Sequence, residues 1–260
     1  MLTALVALPL LIGLIHFSNQ TFFNLLVLLV AMIGLFEFYA MALPKELELE
    51  RVVAILCGFI SGAVVCWQRI DLLLLVLVIS FGTLSVLFLL RMREINSAVH
   101  NLVYAFFGII YVPLFLSHVA LLREFEHGRE WLYFSLVIAM VGDSAAYFVG
   151  SAIGRTKLSP LISPNKTVEG ALGGLAGSVV GAWLVKMLFL PQASYSLVLF
   201  MAFFLAIFGQ LGDLFESMLK RCFAVKDSGS IIPGHGGVLD RLDSLLFVFP
   251  VAYYCVLYFG

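Results

Sequence analysis

The chain has 260 residues, of which 62% are apolar and only 12% charged, with a net charge of -1 and a mean hydropathy of +1.09. A chain with this composition has too few polar residues to cover the surface of a water-soluble globule. Composition therefore excludes a soluble protein. The apolar runs are also too long and continuous for the alternating strands of a membrane β-barrel, and we predict an all-α, polytopic integral membrane protein.

Apolar runs of roughly 17 to 25 residues mark the membrane spans. They predict about nine transmembrane helices, near residues 1–17, 21–43, 52–67, 71–90, 98–122, 131–153, 168–190, 194–215 and 242–259. No basic segment precedes the first run, so we expect a retained helix there rather than a cleaved signal peptide. The four cysteines form no close pair, which argues against a disulfide framework or a zinc site.

The basic residues divide unequally when nine spans are threaded alternately. One side receives only Arg69, Arg123 and Arg129, with Lys186 near that end of its helix, and the other side receives all remaining lysines and arginines. The positive-inside rule places the N-terminus and the basic loops in the cytoplasm. One missed or invented helix would reverse this assignment for every later loop.

Polarity suggests two regions of different character. Residues 1–130 are interpreted as scaffold helices with candidate dimer contacts, and residues 131–260 as a catalytic region with cytoplasmic loops 154–167 and 216–241. Nearly every unusual polar group lies between residues 140 and 244. A cytosolic nucleotide could reach both loops.

The most informative segment runs from Gly209 to Ser244. Asp213, Ser217 and Lys220 recur at i, i+4 and i+7, so they share one face if the helix continues past Asp213. The following glycine-rich loop exposes backbone N–H groups that can cradle phosphate. Its further candidates, for binding or shaping a pocket, are Lys226, Asp227, His235, Gly236, Gly237, Asp240, Arg241 and Asp243.

Carboxylates next to cations suit a site for a metal and a nucleoside triphosphate. Hard carboxylate oxygens hold Mg²⁺, which bridges phosphate oxygens, while lysine and arginine neutralise the remaining charge. The alternative is a solvated interfacial loop with surface ion pairs.

Three further acids lie in apolar surroundings, where a carboxylate is costly unless it is paired or binds a metal. Asp213 is near the end of an apolar helix, and its alternative role is that of a snorkelling interfacial residue. Asp143 lies deeper in its span. Glu37 is interpreted as a structural hydrogen-bonding partner rather than a catalyst.

The second polar loop precedes a helix that starts near Val168. Thr167 is a plausible N-cap, Glu169 lies in the first turn, and Lys166 makes this helix N-terminus a candidate anion site. Plain capping would explain the same residues without a substrate. The glycine stripe from Gly170 to Gly181 favours close helix packing over catalysis.

Residues 217–243, SMLKRCFAVKDSGSIIPGHGGVLDRLD, resemble the signature of the phosphatidate cytidylyltransferase (CDP-diacylglycerol synthase) family. The segments GDSAAYFVG at 142–150 and ISPNKTVEG at 162–170 are similar to other recurrent segments of that family. The resemblance covers residues 140–260 well, and the N-terminal half only in hydrophobic layout. One departure is Asn165, where family members often carry a basic residue.

The resemblance implies that a phosphate oxygen of phosphatidic acid attacks the α phosphorus of CTP, giving CDP-diacylglycerol and pyrophosphate with the help of a divalent metal. It implies Asp213, Lys220 and Asp240 as catalytic residues, with Asp213 and Asp240 as ligands of Mg²⁺; a second cation, monovalent or not, is left open. Lys220, Arg221, Lys226 and Arg241 become phosphate ligands, and Ser217, Asp227, His235 and Asp243 line or shape the pocket. We expect Asp143, Lys166, Thr167, Gly236 and Gly237 to bind substrate as well.

The resemblance also implies a homodimer that acts in phospholipid biosynthesis in a bacterial inner membrane. Its expected partners are CTP, phosphatidic acid and the bilayer, with no nucleic acid. Two other functions remain open. A CTP-using lipid kinase would transfer the γ phosphate to an isoprenoid alcohol, and a transporter could place Glu37, Asp143 and Asp213 along an ion path. The DxxDG pattern of CDP-alcohol phosphotransferases does not occur.

Overall fold

The computed structural model describes residues 9, 12–91, 94–231 and 236–260. Helices dominate these ranges, which confirms the all-α membrane architecture. In chain order they are α1 (Gln20–Ala42), α2 (Glu48–Cys66), α3 (Leu73–Arg91), α4 (Ile95–Ile109), α5 (Phe115–Arg123), α6 (Gly128–Ile153), α7 (Val168–Phe189), α8 (Tyr195–Cys222) and α9 (Leu239–Phe259).

Eight helical segments within the described ranges are long and apolar enough to cross a membrane. One of them, Ile95–Arg123, consists of α4 and α5 joined by the π-helical segment Ile110–Leu114. Pro113 lies inside this segment, where its missing N–H group disturbs regular α-helical bonding. Another combines the 3-10 turn Ile70–Leu72 with α3. Most of the first predicted span lies outside the described residues, although residues 12–17 are helical.

Two helix ends near the basic loops differ from the predicted bounds. Helix α8 continues to Cys222 rather than ending near residue 215, and α9 begins at Leu239 rather than near residue 242. Lys220 and Arg221 lie in the last turn of α8, where cations complement the helix dipole. The extension confirms that Asp213, Ser217 and Lys220 lie on one helix.

The segment 154–167, which we predicted as a polar loop, contains a short antiparallel hairpin of β1 (Lys157–Ser159) and β2 (Ser163–Thr167). Lys157 pairs with Thr167 and Ser159 with Ser163. Strand β2 runs directly into α7, so the hairpin sets the position of the residues that precede that helix.

The glycine stripe of α7 packs against α6, as predicted. A Cβ atom on Gly177 would lie 2.4 Å from the Cβ of Ala145, and one on Gly173 would lie 2.5 Å from the Cβ of Val149. The absence of side chains therefore permits the close approach of the two helices. Helix α8 packs against both α7 and α9, which brings the polar ends of these helices together.

An aromatic cluster connects the two halves of the chain. Phe107 and Tyr111 of the Ile95–Arg123 span contact Phe215 of α8, and Tyr111 also contacts Phe247 of α9. Phe38 of α1 packs against Phe107. The N-terminal helices thus pack against α8 and α9, which carry many of the polar residues.

Candidate active site

Lys220 lies at the centre of the first group of polar residues, here called the Lys220 cluster (Glu216, Lys220, Ser228 and Asp240). Its Nζ atom is 2.5 Å from Oε2 of Glu216 and 2.7 Å from Oδ1 of Asp240. Glu216 and Lys220 are four residues apart on α8, so they share a helix face. The Glu216 side chain is fully buried and that of Lys220 is 14% exposed. Such burial requires the opposite charges to stay paired.

Asp240 connects this cluster to the glycine-rich loop. Its Oδ2 atom accepts hydrogen bonds from the backbone N of Ser228 at 2.9 Å, the Oγ of Ser228 at 2.9 Å and the backbone N of Gly237 at 2.8 Å. Gly236 has φ of +82°, a conformation that favours glycine, and a Cβ there would lie 2.5 Å from Asp240 Oδ2. With Lys220 on Oδ1, the carboxylate of Asp240 already has four donors, as many as a carboxylate ordinarily accepts.

A second group of polar residues, the Lys166 cluster (Asp143, Lys166, Asp213 and Asp243), lies among α6, β2, α8 and α9. Lys166 Nζ is 2.5 Å from Oδ2 of Asp213, and the two side chains are 28% and 30% exposed. Asp143, Lys166 and Asp213 line a cavity of about 580 Å³. Tyr147 and Gln210 also line it. This cluster is therefore open to a ligand in a way that the Lys220 cluster is not.

Negative charge exceeds positive charge around Asp213. Its carboxylate interacts electrostatically with those of Asp143 and Asp243, which also interact with each other. Lys166 is the lysine paired with Asp213. Lys220, which acts on Asp243, is itself paired with Glu216 and Asp240, so the carboxylates outnumber these two lysines and the region is attractive to a cation.

The start of α7 confirms the predicted cap. Thr167 Oγ1 accepts a hydrogen bond from the backbone N of Gly170 at 3.1 Å. Glu169, in the first turn, accepts from the backbone N of Arg155 at 3.0 Å and of Thr156 at 3.1 Å. These contacts attach the first strand of the hairpin to α7 and so fix the backbone on both sides of Lys166.

The other predicted residues lie around these clusters. Arg221 is exposed and donates from Nε to the backbone O of Ile162 in the hairpin turn at 3.4 Å. Ser217 is half-buried on α8 between Asp213 and Lys220. Three further predicted residues are exposed, namely Lys226, Asp227 and Arg241. His235 lies outside the described residues.

The two predicted metal ligands belong to different clusters. Within the described ranges, no three His, Cys, Asp or Glu side chains are arranged to hold a metal ion. Asp213 and Asp240, the predicted ligands, each pair with a different lysine. Their role as metal ligands stays a prediction.

Sequence reasoning missed some of the residues that build the site. Glu216 could have been found, because it lies four residues before Lys220 on a helix that already carried Asp213. Ser228 gave no such signal, since its partner Asp240 is twelve residues away across an irregular loop. Gln210, which donates to the backbone O of Ala171 at 3.0 Å, also gave none.

Comparison with known proteins decides the family. The model of the cytidylyltransferase family matches residues 1–259. This chain belongs to the cytidylyltransferase family. A phosphatidate cytidylyltransferase of Staphylococcus epidermidis is 34% identical over 258 residues, which cover 96% of this chain and 95% of that protein.

Two further relatives match over shorter stretches. A phosphatidate cytidylyltransferase of Bacillus subtilis is 44% identical over 152 residues, covering 58% of this chain and 56% of the relative. Another, of Thermotoga maritima, is 42% identical over 176 residues, covering 65% and 64%. Family membership confirms the resemblance drawn from residues 217–243 and the predicted enzyme class, a nucleotidyltransferase.

Proposed function

We propose that the protein is a phosphatidate cytidylyltransferase that makes CDP-diacylglycerol and pyrophosphate from CTP and phosphatidic acid. The observation that carries the proposal is that α8 contributes to both clusters: its Lys220 pairs with Asp240 within the family signature, and its Asp213 pairs with Lys166 beside the cavity of about 580 Å³. The named activities of the relatives support it. The membrane helices suit a reaction between a lipid and a soluble nucleotide.

In this reaction, a phosphate oxygen of phosphatidic acid forms a bond to the α phosphorus of CTP, and the bond from that phosphorus to pyrophosphate breaks. The nucleophile is already an anion, so no strong general base is needed. Positioning and charge neutralisation do most of the work. We assign charge neutralisation to Lys166, Lys220, Arg221, Lys226 and Arg241.

The cavity beside Asp143, Lys166 and Asp213 is the proposed place for the phosphatidate head. Tyr147, which lines it, is 72% exposed on the outside of α6. A lipid could thus approach from the side of the helix bundle. The nucleotide would approach from the loop that follows α8, where Lys226 and Asp227 are exposed.

We propose Mg²⁺ as the cofactor, held by Asp213 and by Asp240, which would exchange one of its four present donors for the ion. The donor chemistry fits, because carboxylate oxygens are hard ligands and the surroundings of Asp213 have excess negative charge. Mg²⁺ commonly binds one or two carboxylates together with substrate phosphates, so a preformed cage of three side chains is not required. The ion would supply charge neutralisation to the triphosphate.

The protein is an integral membrane protein, and we propose the bacterial inner membrane as its location, with the active site facing the cytoplasm. The bacterial relatives and the excess of lysine and arginine on one side support this. We also propose a homodimer, as the family resemblance implies.

The function can be tested by following label from CTP. Purified protein in detergent is incubated with Mg²⁺, phosphatidic acid and CTP labelled at either the α or the γ phosphate. We expect α label in the lipid and γ label in pyrophosphate. Transfer of γ label to an added isoprenoid alcohol would instead indicate a lipid kinase, and no transfer in any combination would favour a transporter.

A further inference from the structure

Glu37 contacts the glycine-rich loop although it lies about two hundred residues earlier in the chain. Only 3% of this residue is exposed, within the apolar helix α1. Its Oε1 atom accepts a hydrogen bond from the backbone N of Val238 at 3.0 Å, and Oε2 accepts from the backbone N of Leu239 at 2.8 Å. The Oγ of Ser228 is 3.5 Å from Oε2. These contacts explain how a carboxylate is tolerated at this depth.

The two backbone groups that Glu37 binds belong to the N-terminus of α9. The first N–H groups of a helix have no partner within the helix, and a negative charge there complements the helix dipole. Val238, at the N-cap position, has no polar side chain that could accept hydrogen bonds from these N–H groups. Helix α9 therefore receives its cap from α1.

The loop is shaped to approach this carboxylate closely. A Cβ atom on Gly229 would lie 2.5 Å from Glu37 Oε1, and one on Gly237 would lie 2.6 Å from it. On its other side, the loop is held by Asp240 through Ser228 and Gly237. Ser228 and Gly237, among the described residues of this loop, thus lie between two carboxylates, one from each half of the chain.

We propose that Glu37 is a positioning residue for cytidylyl transfer: it fixes the first turn of α9, and with it Asp240, Arg241 and Asp243. The inference rests on the proposed function, in which Asp240 would hold the metal ion, Arg241 neutralises phosphate charge and Asp243 shapes the pocket. Displacements of about 1 Å in such groups can cost on the order of 100-fold in rate. Glu37 itself has no role as a catalytic residue.

The test compares Glu37→Gln with Glu50→Gln. Glu50 is the matched control, because it is also a buried glutamate of the N-terminal half, but it pairs with Arg91 instead of the loop. In Glu37→Gln, an NH2 group replaces one of the two carboxylate oxygens. One backbone N–H group therefore loses its acceptor. We expect kcat per folded molecule to fall about 10- to 100-fold, with a smaller change in KM for phosphatidate, because Asp143, Lys166 and Asp213, which line the proposed phosphatidate cavity, lie outside α9. Glu37→Asp, which keeps the charge, should recover part of kcat relative to Glu37→Ala.

A second pair of variants leaves Glu37 in place. Gly229→Ala inserts a methyl group against its carboxylate, whereas Gly82→Ala inserts one where no atom lies within 4 Å. We expect the loss of kcat in the first variant only. If Glu37→Gln and Gly229→Ala both match their controls in kcat per folded molecule, the proposal is wrong.

Hydrogen–deuterium exchange separates this proposal from the proposed function. Peptides spanning residues 236–247 report directly on the N–H groups of Val238 and Leu239, and they should exchange faster in Glu37→Gln than in Glu50→Gln. A wild-type protein that transfers no label would refute the proposed function, and the exchange comparison would still decide whether Glu37 holds the loop. Equal exchange in the two variants would overturn the positioning role.

Discussion

The two lysine–carboxylate clusters differ in how completely the protein itself satisfies them. In the Lys220 cluster, Glu216 is fully buried and the carboxylate of Asp240 is used by Lys220 and the loop. In the Lys166 cluster, Lys166 and Asp213 are about 30% exposed and line the cavity. The closed cluster is suited to holding α8, α9 and their loop together, and the open cluster to receiving a ligand. Similar residue types thus serve different purposes according to burial.

The largest effect should come from removing a predicted metal ligand. Asp213→Ala and Asp240→Ala should each lower turnover by about 1000-fold or more, because charge neutralisation at the triphosphate is lost. Both proteins should still insert into the membrane, and Asp240→Ala should unfold at a lower temperature than Asp213→Ala because its loop loses an anchor. Labelled-CTP assays and thermal unfolding in detergent measure this.

The exposed Asp71, which pairs with Arg69 at the surface, offers a matched control for these variants. Asp71→Ala should behave like wild type. Near-wild-type turnover in either Asp213→Ala or Asp240→Ala would contradict the metal assignment.

Removing Lys220 should affect stability and activity together. Lys220→Met leaves the buried carboxylates of Glu216 and Asp240 without their cation, which should cost about 3 to 5 kcal/mol in the free energy of unfolding. Turnover should fall about 100-fold or more. Adding Glu216→Gln to this variant should restore much of the stability without restoring activity. Recovery of both in the double variant would mean that Lys220 has only a structural role.

Removing Lys166 should lower activity with little loss of stability. Because its side chain is partly solvated, Lys166→Met should change the free energy of unfolding by about 1 kcal/mol or less. We expect turnover to fall about 10- to 100-fold and KM for phosphatidate to rise, since the cavity loses its cation. A stability loss as large as that of Lys220→Met would show that the contrast between the clusters is wrong.

The smallest effect should come from the cap of α7. Thr167→Val keeps the shape of the side chain but removes the acceptor for Gly170 N, which should cost about 1 kcal/mol. Thr167→Ser retains the acceptor and serves as the control. If Thr167 acts only as a cap, kcat per folded molecule should stay within about twofold in both variants, whereas a loss in Thr167→Val at unchanged stability would indicate contact with substrate.

Local patterns predicted the parts of the structure that depend on neighbouring residues. Thr167 was recognisable as an N-cap because its partner, Gly170, is three residues away. The α8 face that carries Asp213 and Lys220 follows from helical spacing, and the glycine stripe of α7 from its regular repeat. The family could be recognised from residues 217–243, because this signature is long and specific.

Contacts between distant residues could not be predicted in this way. Glu37 was evident as an acid in an apolar helix, but its partners Val238 and Leu239 are backbone groups that any sequence would supply. The hairpin at 157–167 was missed because its strands are short and polar and have no alternating apolar pattern. The separation of Asp213 and Asp240 into two ion pairs depends on how β2, α8 and α9 pack.

The cap that α1 provides for α9 has a consequence for biosynthesis. Helix α1 leaves the ribosome long before α9. The Glu37 carboxylate is therefore in the membrane without its backbone donors until α9 is inserted. A fragment of residues 131–260 made alone would contain every residue of the family signature but would lack this carboxylate. We expect such a fragment to insert without an ordered first turn of α9, and co-expression with residues 1–130 to restore that turn.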